Sequence, residues 1–196
     1  MIGTLFEASE LIELKELESA EKLIADARAR LPNSILVRTY EGFLLLKQGK
    51  SGEARLAYIA VDQAEGVEAG VRSLVRNNIA WLNFELRLDE LKNEADQFSA
   101  EALRSNKQAG WAIGTRGAVL FWLGHHASGL SFSEQAYAVN TSRESRASNA
   151  CVAALSCCAM GKLDLARHWF ERARTMDGKC KLLPEVEAAV APAAVR

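Results

Sequence analysis

Residues 161–173 read GKLDLARHWFERA, and Arg167, His168, Trp169, Glu171 and Arg172 crowd there in the mixture of side chains met in active sites. The spacing gives another reading. Ala166, Phe170 and Ala173 stand at i, i+4 and i+7, which puts a small, a large and a small side chain on one face of a helix. The polar residues are then what is left for its solvated side. Trp169 lies next to the packing phase, where it is expected to cover a boundary with the C-terminal end of the chain, while Leu163 and Leu165 are expected to support the turn. The same triplet recurs as Ala20, Ile24 and Ala27 within ESAEKLIADARARLP and as Ala54, Tyr58 and Val61 within GEARLAYIAVDQ. These two copies are offset by 34 residues, so the pattern is a repeated helical unit rather than a catalytic cluster.

Each triplet is preceded, twelve positions before its first alanine, by another small residue: Ala8, Gly42 and Ala154. A second helix packed closely on the first needs that small residue. Gly49 and Gly161 stand five residues before Ala54 and Ala166, where a helix C-cap favours positive φ; Lys15 occupies that place in the first copy. Pro32 closes the first unit, since proline cannot continue a helix. On these residues the chain resembles the tetratricopeptide repeat (TPR) family.

The resemblance implies an all-α fold, a right-handed α-solenoid of about five TPR-like helix pairs with a C-terminal capping helix. The pairs fall at about residues 1–34, 35–68, 73–109, 110–143 and 147–180, forming a single array over 1–180, with the cap and tail at 181–196. Repeat four matches through Gly117, Leu120, Gly124 and Ala136, with Gly129 where alanine is usual and Thr141 where proline is common. Repeat three aligns through Ala80, Ala95 and Ala102 only if three extra residues sit in the turn around RLDELKNE, so a longer helix or turn is expected there. A narrower resemblance, of residues 77–130 to repeat regions attached to bacterial site-2 protease-family proteins, would imply a regulatory module. Those proteases' HExxH motif does not occur, so their activity is not carried over.

Composition bounds the function. The chain has 196 residues, 49% hydrophobic and 25% charged, which places it among globular proteins. Its 24 basic and 25 acidic residues leave a net charge of −1 with no dense basic block, so nucleic acid is not an expected partner. The apolar runs GAVLFWLG (117–124) and ACVAALSCCAM (150–160) fall short of the roughly 20 residues that cross a bilayer, and no membrane insertion is expected. The acidic opening MIGTLFEASELIELKELE is unlike a secretory signal, and Cys151, Cys157, Cys158 and Cys180 form no CxxC pair, so the expected location is the cytoplasm.

Reactive constellations are sparse. QGKSGEA at 48–54 ends like a phosphate-binding loop, but Leu44 stands where that motif needs glycine. His125 and His126 fall in a turn with no third ligand near in sequence. Cys157 and Cys158 lie in an apolar run, a poor place for a low-pKa thiolate, and read as small buried hydrophobes. No catalytic residue, metal site or cofactor is expected.

Binding is the expected activity. In the family the first helix of each pair lines a concave groove, and the positions that would face it are Tyr40, Phe43 and Lys47, then Asn77, Asn78, Trp81 and Glu85, then Trp111, Thr115 and Trp122. The resemblance implies that an asparagine at position 78 hydrogen-bonds a bound peptide backbone; equally, Asn78 could orient neighbouring helices. The three tryptophans could anchor a partner or pack between repeats. No pair of cations stands beside Asn78 to clamp a C-terminal carboxylate. The expected function is a non-enzymatic interaction module or scaffold holding a protein or peptide segment. The alternative is a regulatory or self-associating homo-oligomeric repeat segment of a larger system, including a membrane protease-associated one.

Overall fold

The structure, a computed structural model, describes residues 2–191. Among them are eleven α-helices, one short 3-10 helix and no strand. The chain divides into two compact units, Met1–Leu86 and Arg87–Arg196, the division falling inside the third helix pair of the array expected from sequence.

The first unit contains α1 (Ile2–Glu13), α2 (Leu17–Arg30), α3 (Ile35–Lys47), α4 (Ser51–Asp62) and α5 (Ala69–Glu85). Each helix packs on the next, as antiparallel helices joined by short turns do. The predicted small positions make this possible: Ala8, Ala20, Ala27, Gly42 and Ala54 are all buried, and Ile24, Tyr58 and Val61 fill the space between them. Gly42 shows the cause most directly. A Cβ there would lie 2.7 Å from Cε1 of Tyr58, so α3 approaches α4 only because position 42 has no side chain.

The second unit contains the 3-10 helix Asp89–Leu91, α6 (Lys92–Ser105), α7 (Gly110–Trp122), α8 (His126–Val139), α9 (Arg143–Ala159), α10 (Leu163–Met176) and α11 (Leu183–Val190). The 3-10 helix occupies the three extra residues that the alignment of repeat three requires. Helices α5 and α9 begin before the expected starts at 73 and 147. For α9 the reason is Ser142, whose hydroxyl accepts from the backbone N–H of Ser145 at 3.4 Å and caps the helix there. Position 129 explains its own departure from the family pattern. A Cβ at Gly129 would stand 2.9 Å from the backbone nitrogen of Phe121, so even the usual alanine does not fit between α7 and α8.

The turns that follow α1, α3, α5, α7 and α9 use one backbone device. Lys15, Gly49, Arg87, Gly124 and Gly161 all have positive φ, at 64°, 79°, 54°, 86° and 74°. In the glycine turns the reversal is closed by paired bonds, such as Lys50 N–H to Leu45 O at 2.9 Å and Gly49 N–H to Leu46 O at 3.0 Å. Lys15 makes the same pair of bonds through Lys15 and Glu16 without the freedom of glycine.

Two expectations for the opening stretch are corrected. Its large buried side chain is Trp169, not Phe170, which is half-exposed with Arg174 over its ring. Trp169 faces Tyr137 of α8 edge-on, with ring centroids 5.3 Å apart. Leu163 and Leu165, expected to support the turn, are exposed. The face is set one residue away because Arg172 stacks over both Trp169 and Tyr137, completing a stack that Phe170 does not enter. Helix α11 starts with Pro184 in its first turn and packs on α9 and α10 through buried Leu183, Val186 and Val190. The rest of the expected tail, 192–196, lies outside the described residues.

Candidate partner-binding surface

On α3, Tyr40, Phe43 and Lys47 share one face at i, i+3 and i+7, each half-buried. Tyr40 and Phe43 rest on the apolar cluster formed by α1, α2 and α3, which fixes their rings and leaves their outer surfaces free. Lys47 lies 5.6 Å from the Phe43 ring centroid and 3.9 Å from the carboxylate of Glu13 at the end of α1. Its charge is therefore already balanced, and the face presents apolar area more than a cation.

On α5, Asn78, Trp81 and Glu85 repeat the same spacing and the same half-buried state. Trp81 donates its indole N–H to Glu85 at 3.1 Å, and its ring is tilted against the buried Phe84 at 5.5 Å. Glu85 also accepts from the hydroxyl of Ser51 at the start of α4. Trp81 is thus held in one rotamer with its polar edge satisfied and part of its ring uncovered, the state in which an aromatic anchor costs least to immobilise on binding. Asn77 points elsewhere. It is buried, its amide nitrogen is 3.5 Å from Asn78 Oδ1, and its own Oδ1 has no partner. The Asn78 carboxamide stands beside the Tyr58 hydroxyl, where it opposes the burial that pushes that phenol's pKa above the ordinary range.

The third set lies in the second unit and is split by the fold. Trp111 is exposed, Thr115 is buried, and Trp122 sits on the turn at the start of α6. Trp122 donates its indole N–H to Asp89 at 3.1 Å while Lys92 Nζ lies 5.3 Å from its ring centroid. Lys92 in turn pairs with Asp89 at 2.7 Å, and this bond above all holds the Asp89 carboxyl below the usual carboxylate range. Trp122, half-buried, closes a turn, and Trp111 is the most open of this set.

No three His, Cys, Asp or Glu side chains converge on a metal site among the described residues. His125 is exposed, and His126 stacks at 5.6 Å on Phe121. Burial pushes the Cys157 thiol up to about 11 and raises Cys158 as well, which suits inert packing thiols. What the spacing did not reveal is that Cys151 of α9 meets Cys180 of the α10–α11 connection, with sulfurs 3.8 Å apart. The only signal was that Cys180 stands alone in a polar stretch, away from the apolar run holding the other three.

The chain has the tetratricopeptide-repeat fold. It superposes on TTC0263, a thermophilic TPR protein of Thermus thermophilus, with a TM-score of 0.66 and 19% identity over 96% of this chain and 97% of the other. Pseudomonas aeruginosa pilF gives a TM-score of 0.60 at 14% identity, covering 94% of this chain and 80% of pilF. YrrB, described as a TPR protein with an unusual peptide-binding site, gives 0.55 at 16% identity, with 94% and 90% covered. The resemblance of residues 77–130 to site-2 protease-associated repeats receives no support from these structures. No family model and no curated sequence matches the chain. No helix among the described residues is long and apolar enough to cross a membrane.

Proposed function

We propose that this chain is a non-enzymatic interaction module that holds an extended or helical protein segment against the half-buried faces of α3 and α5. The observation that carries this reading is the pair of matching faces, Tyr40–Phe43–Lys47 and Asn78–Trp81–Glu85. Each has aromatic rings seated on core, with Lys47 paired to Glu13 on one and Trp81 bonded to Glu85 on the other. Such surfaces favour apolar anchors on the partner, since aromatic side chains dominate interface energetics. The peptide-binding site described for YrrB is in keeping with this use of the fold. The only lysine on these faces is balanced by Glu13, so a partner recognised through a terminal carboxylate is disfavoured. Trp111 is proposed as a further contact on the second unit, whereas Asn77, Thr115 and Trp122 act in packing and turn closure.

The test is capture of a partner from lysate on immobilised protein, followed by mass spectrometry. Phe43→Ala combined with Trp81→Ala is expected to abolish capture while the helical circular dichroism is kept; undiminished capture by the folded double variant would sink the reading. A second reading, self-association, is favoured by Phe6 of α1 and Leu14 in the turn that follows it, which are 64% and 69% exposed. Light scattering over a wide concentration range separates the two, a mass fixed at one chain excluding it.

A further inference from the structure

Cys151 and Cys180 are set up for chemistry that the rest of the cysteines are not. Cys151 is fully buried on α9, and Cys180 is nearly so on the connection between α10 and α11. Their sulfurs are 3.8 Å apart, and the hydroxyl of Ser148, one turn earlier on α9, lies 3.8 Å from the same Cys180 sulfur. Backbone bonds pin the connection on both sides: Cys180 N–H donates to Asp177 O and Leu183 N–H donates to Cys180 O, both at 3.1 Å. The two sulfurs need to approach by a little under 2 Å to reach the disulfide length of about 2.05 Å.

We propose that Cys151 and Cys180 form a reversible disulfide that locks the α10–α11 connection, and with it α11, onto α9 when the protein meets a peroxide or a low-molecular-weight disulfide. The roles of the two sulfurs differ. Cys180 is the less deeply buried residue, flanked by exposed Gly178, Lys179 and Lys181, and the hydrogen bond with Cys151, ahead of any other influence, brings its pKa down to about 7. The same contact, added to burial, pushes the Cys151 thiol upward and keeps it protonated. A nucleophilic thiolate beside a sheltered resolving thiol is the arrangement that favours a disulfide over further oxidation.

With hydrogen peroxide, the Cys180 thiolate attacks one peroxide oxygen, the O–O bond breaks, and hydroxide leaves as water after taking up a proton. Cys180 is then a sulfenic acid. The Cys151 sulfur attacks it, the S–O bond breaks, and the Cys151 proton leaves with the hydroxyl as a second water. Both thiols are oxidised to one disulfide and one peroxide is reduced. With a small disulfide as oxidant, two exchange steps release two small thiols.

The crosslink would close the segment from 151 to 180 around α10, which restricts the unfolded chain and suppresses local opening of α11. The full chain is reduced, treated with hydrogen peroxide or oxidised glutathione, and analysed by intact mass and peptide mapping. The expected result is a loss of two hydrogens, a Cys151–Cys180 linked peptide, and reversal by dithiothreitol. The thermal midpoint should rise by several degrees, with slower amide exchange in α11. Cys180→Ser and Cys151→Ala should each abolish the mass loss, and Cys157→Ser with Cys158→Ser should leave it intact. A Cys157–Cys158 or interchain link, an unresolved glutathione adduct on Cys180, or no mass loss would each overturn the proposal. The wild-type map decides even if a cysteine variant does not fold.

Discussion

The space where Gly42 would carry a side chain is filled by the ring of Tyr58, whose Cε1 lies 2.7 Å from the position a Cβ would take. Tyr58 is completely buried, so its ring cannot swing aside. Gly42→Ala is therefore expected to lower stability by about 1–3 kcal/mol, the usual cost of overpacking a filled core. Urea denaturation measures it, and combining the change with Tyr58→Leu should recover part of the loss. Gly52→Ala is the control. It lies in α4 with nothing near its side-chain position, and alanine there should be neutral or stabilising by about 0.5 kcal/mol.

Tyr58 leads to a pH prediction. Its hydroxyl is buried beside the Asn78 carboxamide, and burial outweighs that contact and raises its pKa above the ordinary 10.0. Below pH 10 folded and unfolded chains both keep the proton, so the group contributes nothing to pH dependence. Above that value the unfolded chain releases the proton and the folded chain holds it, so stability falls as pH rises. Tyr58→Phe is expected to cost under about 1 kcal/mol at pH 7, since the hydroxyl has at most the one contact with Asn78 to lose, and to flatten the decline between pH 10 and 11. Equilibrium denaturation at those pH values checks both parts.

Gly129→Ala should be more damaging than Gly42→Ala. The atom it would meet is the backbone nitrogen of Phe121 at 2.9 Å, and backbone cannot yield by changing rotamer. Helices α7 and α8 must separate, and a loss of about 2–3 kcal/mol is expected. Thermal unfolding of the two variants side by side tests the ranking.

Lys15 holds a φ of 64°, as the glycines in the matching turns do. Lys15→Gly removes the clash between Cβ and the following carbonyl and should stabilise the protein by about 0.5–1 kcal/mol after the entropy cost of glycine. A rise in the thermal midpoint is the measurement. An unchanged or lower midpoint would mean that the contacts of the lysine side chain outweigh the backbone strain.

The tryptophans should separate by their surroundings. Trp169 is 6% exposed and packed between Tyr137 and Arg172, so Trp169→Ala should cost about 3 kcal/mol or more. Its indole N–H makes no hydrogen bond, so Trp169→Phe should cost much less. Trp111→Ala, at a position 37% exposed, should change stability by under about 1 kcal/mol. Chemical denaturation of the three variants ranks them.

The repeated spacing of small and large residues was enough to determine the first two helix pairs, because Ala20–Ile24–Ala27 and Ala54–Tyr58–Val61 are local patterns whose period is that of the helix itself. The turn positions were legible for the same reason, and so were the solvated Arg167, His168 and Glu171. Tertiary structure alone decided what depends on distances between helices. Helix α10 turned Trp169 inward in place of Phe170, because Tyr137 and Arg172 stand where only that ring stacks. Trp122 was drawn to Asp89 and Lys92, Thr115 was covered, and Glu85, one turn from Trp81 on α5, was tied to Ser51 of α4, which no spacing within one helix reveals. The meeting of Cys151 with Cys180 lies furthest from view in the sequence. It depends on where α11 docks, and that docking is set by side chains from three helices rather than by the period of any one.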